Sequence, residues 1–283
     1  MTQRGLHRSG LWSGGKDRVE RNGSERTQVA SVAARKSSPP RGIRRNRETE
    51  PVAALVTQKI PEAIIVKEAV GLLVFDLDGT LIDSKVDLAN SVNHALGEFG
   101  LPALPHPLIY SYVGDGATVL IRKSLGDEGN GILHAVLDAF LAHYRQHLLD
   151  TTVPYPGVPE NLGKWEKSYR MAVLTNKPLD MTLAILSGLA LDRHFIEVVG
   201  GDGVHGKKPL PDGLLRIMRS YGASPEETLM VGDSRNDVLA GKRAGARTCG
   251  VTYGLGTDGF AEYPPDFTIG RFSELFDRIR PTT

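Results

Sequence analysis

The chain has 283 residues, enough for one large or two modest domains, and its 40 % apolar and 24 % charged content is that of a globular protein. A single cysteine, Cys249, excludes an internal disulfide, and no run of roughly 18 apolar residues offers a membrane-spanning helix. The net charge of +1 hides an asymmetry: residues 1–50 hold 12 Lys/Arg against 5 Asp/Glu, so the remainder is acidic.

The first fifty residues are rich in Gly, Ser and Arg and show no sustained apolar period. Such a composition cannot bury enough surface to offset ordering entropy, so a disordered basic extension and linker is expected over residues 1–67. A secretory signal needs an apolar stretch that is lacking, and Asp17, Glu20 and Glu25 argue against a transit peptide. Arg41, Arg44, Arg45 and Arg47 would suit a nucleic-acid arm. The reading adopted is a solvated tail, or an extension from a start codon set too far upstream, on a cytoplasmic protein that binds neither membrane nor nucleic acid. Between Thr57 and Val70, Pro61 opposes a long helix and leaves a short strand or linker.

Leu72 to Phe75 is a continuous apolar run, the pattern of a strand buried on both faces of a parallel sheet. It stops on Asp76-Leu77-Asp78-Gly79-Thr80, and the carboxyl ends of such strands are where ligands bind. Asp76 can attack phosphorus and Asp78 can give a proton to the leaving oxygen, then take one from water. Both would repel a phosphate: at roughly 4 Å and an effective dielectric near 20, each charge pair costs about 4 kcal/mol. A Mg²⁺ ion removes that repulsion and favours carboxylate, phosphate and water oxygens.

Asp83-Ser84 offers an N-cap for a helix whose apolar stripe runs Val86, Ala89, Val92, Leu96, Phe99 and closes at Gly100. A proline-rich connector follows, then a second helix over Ala117 to Leu125. The third stripe, Ile132, Val136, Phe140, Tyr144 and Leu148, is read as the longest. Residues 86–154 thus form a helical block without alternating strands. Arg122 and Lys123 within it are candidates for a substrate carboxylate, since a positive group suits an anion. The scattered histidines show no metal-ligand spacing.

The sheet resumes at Arg170–Leu174, which ends on Thr175-Asn176-Lys177-Pro178. The Thr175 hydroxyl and the Asn176 amide can donate to phosphate oxygens, and Pro178 marks a helix start. A third strand is expected over Phe195 to Gly200, then the loop Gly206-Lys207-Lys208-Pro209-Leu210-Pro211 and an amphipathic helix from Asp212. Thr228 to Gly232 ends on Asp233-Ser234, a carboxylate and a candidate N-cap. Asp237, one turn on, can hold a metal-bound water or orient a lysine. Arg247–Thr252, with Cys249 as a small core residue, and Asp266–Ile269 finish the sheet, and Ser273 caps a last helix to Ile279.

Four segments, Asp76-Leu-Asp-Gly-Thr-Leu81, Thr175-Asn176, Lys208-Pro-Leu-Pro211 and Gly232-Asp-Ser-Arg-Asn-Asp237, resemble in order the motifs of the haloacid-dehalogenase-like (HAD) phosphatases. Tyr112-Val-Gly-Asp-Gly-Ala117 resembles the cap of the phosphoglycolate phosphatases among them. The resemblance implies a doubly wound, mostly parallel Rossmann-like α/β core (68–85 and 155–283) with an inserted α-helical cap domain (86–154). It further implies a Mg²⁺-dependent phosphomonoester phosphatase hydrolysing 2-phosphoglycolate. Asp76 would be the nucleophile and Asp78 the acid/base. Thr175, Asn176 and Lys208 would bind phosphate. Asp76, the backbone carbonyl of Asp78, and Asp233 would hold the metal, supported by Ser234 and Asp237. Competing readings are a pyrophosphatase, nucleotidase or sugar-phosphate phosphatase, a phosphoglucomutase-like phosphotransferase, a dehalogenase and a non-catalytic binding module. Monomer and homodimer stay equally open.

Overall fold

The computed structural model describes residues 68–282 except 127, 128 and 130. It opens with β1 (Glu68–Val70), β2 (Leu72–Phe75) and the two-residue β3 (Ile82–Asp83). Four helices follow: α1 (Lys85–Glu98), α2 (His106–Tyr110), α3 (Ala117–Leu125) and α4 (Leu133–Gln146). The chain returns through β4 (Val153–Pro154) and α5 (Val158–Trp165) to β5 (Arg170–Leu174), α6 (Leu179–Gly188) and β6 (Glu197–Val199). It then runs through α7 (Asp212–Ser220), β7 (Thr228–Gly232), α8 (Arg235–Arg243), β8 (Arg247–Val251) and β9 (Phe267–Ile269). The short α9 (Leu275–Arg278) leads into β10 (Ile279–Pro281).

Six strands form one parallel sheet in the order β6-β5-β2-β7-β8-β9, so the strand carrying Asp76 lies at its centre. The period-2 alternation of a strand explains why its residues are apolar throughout. Leu73 and Phe75 pack into the larger core on one face, and Leu72 and Val74 into a smaller core on the other. Met171 and Val173 of β5 and Leu229 and Val231 of β7 share the first face, while Ala172, Leu174 and Met230 share the second. Phe75 stands opposite Val173 and Val231 and packs its ring against Trp165, Phe195 and Phe272. Pairing runs one residue past the strands, with Asp76 N donating to Val231 O and Thr175 N to Val199 O. Those bonds hold both residues at the carboxyl edge, where helix N-termini also point.

The helical insertion is bracketed by a small antiparallel ladder: Ile82 pairs with Pro154 and Asp83 with Val153 as the chain leaves and returns. Asp87 in α1 ties that return, accepting hydrogen bonds from the backbone and hydroxyls of both Thr151 and Thr152. Leu88, Val92 and Leu96 of α1 share a core with Val136, Phe140 and Tyr144 of α4. The fold is therefore a doubly wound parallel α/β sheet with an inserted helical cap. Among the described residues no helix is long and apolar enough to cross a membrane.

Several details differ from the sequence expectation. Prolines did not keep the connector free of helix: Pro107 sits within the first turn of α2, where its missing N–H has no helical partner to lose. The block holds no strand longer than the two-residue β4 that ends it, and α4 is no longer than α1. Ser273 does not cap a helix to Ile279. It lies in a 3₁₀ turn, α9 has only four residues, and Ile279 leaves the helix to pair with Glu68 of β1. Cys249 is buried in β8, as a small core residue should be. The proposed extension over residues 1–67 lies outside the described residues.

Candidate active site

Three chain segments bring charge to one point at the carboxyl edge of β2 and β7. The Lys208 ammonium, buried, lies 2.8 Å from Asp76 Oδ1 and 2.6 Å from Asp237 Oδ1. It is thus Lys208, of the two adjacent lysines, that reaches Asp76. The other oxygen of Asp237 accepts from Ser234 N at 3.0 Å and Ser234 Oγ at 2.7 Å, a capping box that opens α8. Asp233 Oδ2 accepts from the backbone N–H groups of Leu255 and Gly256, at 2.6 and 3.0 Å. Carboxylate oxygens of Asp76, Asp233 and Asp237 lie within 4.8 Å of one another. Gly79 makes the close approach possible: its φ is +81°, and a Cβ there would fall 2.2 Å from Asp233 Oδ2.

Three buried carboxylates share one ammonium, leaving negative charge uncompensated. Burial, aided by Asp237 and Asp233, pushes the Asp76 carboxyl up to about 7 despite Lys208. Burial and the Asp237 charge push Asp233 up to about 6, against the two backbone donors. Lys208 keeps its charge although burial opposes it, because Asp237 and Asp76 flank it. Asp237 has both oxygens engaged, whereas among the described residues Asp76 Oδ2 has no donor and Asp233 Oδ1 has only the Thr80 hydroxyl, at 3.5 Å. Hard oxygen donors with excess negative charge fit a divalent cation.

Asp78 takes no part in that carboxylate cluster. Its oxygens lie 2.7 and 2.9 Å from Lys177 Nζ, and it accepts a hydrogen bond from Ser84 Oγ. The Asp78 side chain is thus committed to Lys177 and Ser84 and stands apart from the carboxylate cluster. Ser84 precedes α1 as expected but makes no side-chain capping bond, because its hydroxyl is drawn to Asp78. Lys177 was not among the residues singled out from sequence. Its signal was position: a lysine directly after Thr175-Asn176 at a strand end, where only a buried counter-charge would tolerate it. Asp78 supplies that charge, and the Lys177 pKa rises although burial opposes it.

Thr175 and Asn176 line the same cavity as Asp76 and Asp78. Thr175 Oγ1 accepts from Lys177 N, which leaves its own proton free to donate. The Asn176 side chain has both donors occupied, on Gly114 O and Lys208 O at 2.9 Å each, so its amide NH₂ cannot also meet a phosphate. Instead it joins the cap loop to the Lys208 loop. Asn236 reinforces that junction, donating to Asp115 Oδ1 at 2.8 Å. Arg122 is exposed, and Lys123 is paired with Asp115 at 2.9 Å; neither lines the cavity.

A central parallel strand ending on a buried carboxylate, flanked by a second acid, a lysine and a cation-fit cluster, defines a hydrolase built for phosphomonoester chemistry. Residues 73–251 match the family model described as haloacid dehalogenase-like hydrolase. The chain belongs to that family, and within it to a phosphoglycolate-phosphatase-like subfamily. It is 38 % identical over 214 residues to a phosphoglycolate phosphatase of Haemophilus influenzae, covering 72 % of this chain and 96 % of that protein. Phosphoglycolate phosphatase 1 of Pseudomonas aeruginosa is 40 % identical over 212 residues, covering 72 % and 78 % respectively. The crystal structure of a predicted phosphoglycolate phosphatase from Haemophilus somnus aligns with a TM-score of 0.70 at 32 % identity, covering 74 % of this chain and 97 % of that one.

Proposed function

We propose that this enzyme is a Mg²⁺-dependent phosphomonoester phosphatase that hydrolyses 2-phosphoglycolate through an aspartyl-phosphate. The observation that carries the reading is the ion triad of Asp76, Lys208 and Asp237 beside Asp233, joined through Asp76 to a cavity that Asp78 also lines. Asp76 and Asp233, with the Asp78 carbonyl, would hold Mg²⁺, which when bound neutralises the carboxylates and polarises the phosphoryl oxygens. An Asp76 oxygen attacks phosphorus and the P–O bond to the leaving group breaks, its oxygen taking a proton from Asp78. Water then attacks the aspartyl-phosphate, Asp78 recovers a proton from it, and phosphate leaves with Asp76 restored. Lys208 and the Thr175 hydroxyl hold the phosphoryl group, and Asp237 with Ser234 fixes the lysine. Asn176, its amide engaged, contributes by joining the loops. Residues 86–154 act as the cap over a core of 68–85 and 155–283, excluding water from the reacting group.

The similarity to named phosphoglycolate phosphatases supports a short substrate over a nucleotide or hexose phosphate. Phosphate release from 2-phosphoglycolate, pyrophosphate, nucleoside monophosphates and hexose phosphates, with Mg²⁺ and with EDTA, tests the reading. Phosphoglycolate should lead the panel and EDTA should abolish release. Asp76→Asn should leave a folded protein without turnover; turnover surviving in a homogeneous sample would remove Asp76 as nucleophile.

A further inference from the structure

We propose that Lys177 and Tyr144 form a subsite that binds a carboxylate on the leaving group of the substrate, an inference that rests on the phosphatase reading above and assigns its specificity. The cavity beyond Asp76 and Asp78 is walled by Leu88, Val113, Leu120, Phe140, Leu141 and Met181. Among the described residues its only other polar side chains, outside Thr175 and Asn176, are Lys177 and Tyr144.

Lys177 is buried, and its ammonium carries three donors. Two reach Asp78, at 2.7 and 2.9 Å. Its nitrogen lies 4.8 Å from the centre of the Tyr144 ring. The Tyr144 hydroxyl is buried beside the Lys177 ammonium and interacts with it, but its own proton meets no acceptor at hydrogen-bond geometry among the described residues. A buried hydroxyl left so is unfavourable, and such groups in a native structure point to a missing partner. A carboxylate would accept from the phenol and, as Asp78 turns away, from the Lys177 ammonium. When Asp78 turns to the ester oxygen it leaves the Lys177 charge without a counter-ion, and the carboxylate replaces it. The apolar walls suit a short aliphatic leaving group better than a sugar or a base, whose polar groups they would leave unpaired. Recognition thus falls to the core strand end and to α4, where Arg122 and Lys123 had been the candidates; the first is exposed and the second is engaged by Asp115.

The test compares kcat and KM for phosphate release from 2-phosphoglycolate and from ethyl phosphate, which carries a methyl in place of the carboxylate. Full-length wild type, Tyr144→Phe and Lys177→Gln are assayed with Mg²⁺, alongside thermal melts. Wild type should prefer the carboxylated ester. Tyr144→Phe should cut that preference about tenfold, mainly through KM, while its melting temperature changes little, because the hydroxyl lost interacts only with Lys177 and has no acceptor for its own proton. Lys177→Gln should cut it further; should that variant not fold, Tyr144→Phe decides alone. A wild type indifferent to the carboxylate overturns the phosphoglycolate reading and the subsite with it. A wild-type preference that survives intact in Tyr144→Phe overturns the subsite alone.

Discussion

Removing divalent cations should make this protein less stable as pH rises, and Mg²⁺ should reverse the loss. Asp76 and Asp233 have folded-state pKa values raised from 3.8 to about 7 and about 6. A raised pKa means that the folded protein holds these protons more tightly than the unfolded chain. The stability they contribute is complete below the unfolded value and is lost as pH climbs through the folded one. Between pH 5 and pH 8 the linkage amounts to roughly 3 kcal/mol for Asp76 and roughly 1 kcal/mol for Asp233, about 4 kcal/mol together. For a domain of this size that is a fall of about 8–16 °C in Tm. The lowered carboxylates Asp87, Asp115, Asp180 and Glu274 do not enter, since all are largely ionised throughout that window in either state. His143, lowered by burial and by His94, acts in the opposite sense, but its ring is only partly buried and its contribution is small. Thermal melts at the two pH values, in EDTA and in millimolar Mg²⁺, measure the effect directly. Equal Tm values at pH 5 and pH 8 in EDTA, or a Mg²⁺ increment no larger at pH 8 than at pH 5, would refute the charge cluster as the cation site.

Three further outcomes follow from particular contacts. Asp87→Ala removes the acceptor for both Thr151 and Thr152 and should cost about 2–4 kcal/mol by denaturant titration. Asp87 is itself held below the usual carboxylate range by those donors, which outweigh its burial, so its stabilisation should fade as pH falls below about 4 and should be absent from the variant's acid limb. Gly79→Ala forces a side chain into left-handed backbone at +81° and against Asp233, and should cost about 1–3 kcal/mol while weakening Mg²⁺ binding by calorimetry. Unchanged affinity there would separate Asp233 from the metal. Phe75→Ala empties a site packed by Trp165, Phe195 and Phe272 and should cost about 3–5 kcal/mol, read as a shifted denaturation midpoint.

Much of the fold was legible because it depends on local pattern. The runs Leu72–Phe75, Met171–Leu174 and Leu229–Val231 are buried on both faces, so continuous apolar residues announce them. The polar residue that ends each one marks the edge where a site can form. What misled was competition for a side chain. Ser84 has the sequence of an N-cap, yet Asp78 holds its hydroxyl. Tyr144 falls in an apolar helical stripe, and that spacing records its burial while saying nothing of its hydroxyl.

Sequence alone, then, determined the acids, the lysine and the order in which strand ends deliver them, because strand periodicity and turn chemistry act over a few residues. Only the tertiary structure decided that Asp237 and not the Asp78 carboxylate joins Asp76 and Asp233, that Lys177 neutralises Asp78, and that Asn176 is committed to Gly114 and Lys208. The bonds of Asn176 and Lys177 span 32, 62 and 99 positions of the chain. Over such separations a donor goes to whichever acceptor the packed sheet and cap bring within reach, and no local pattern records that choice.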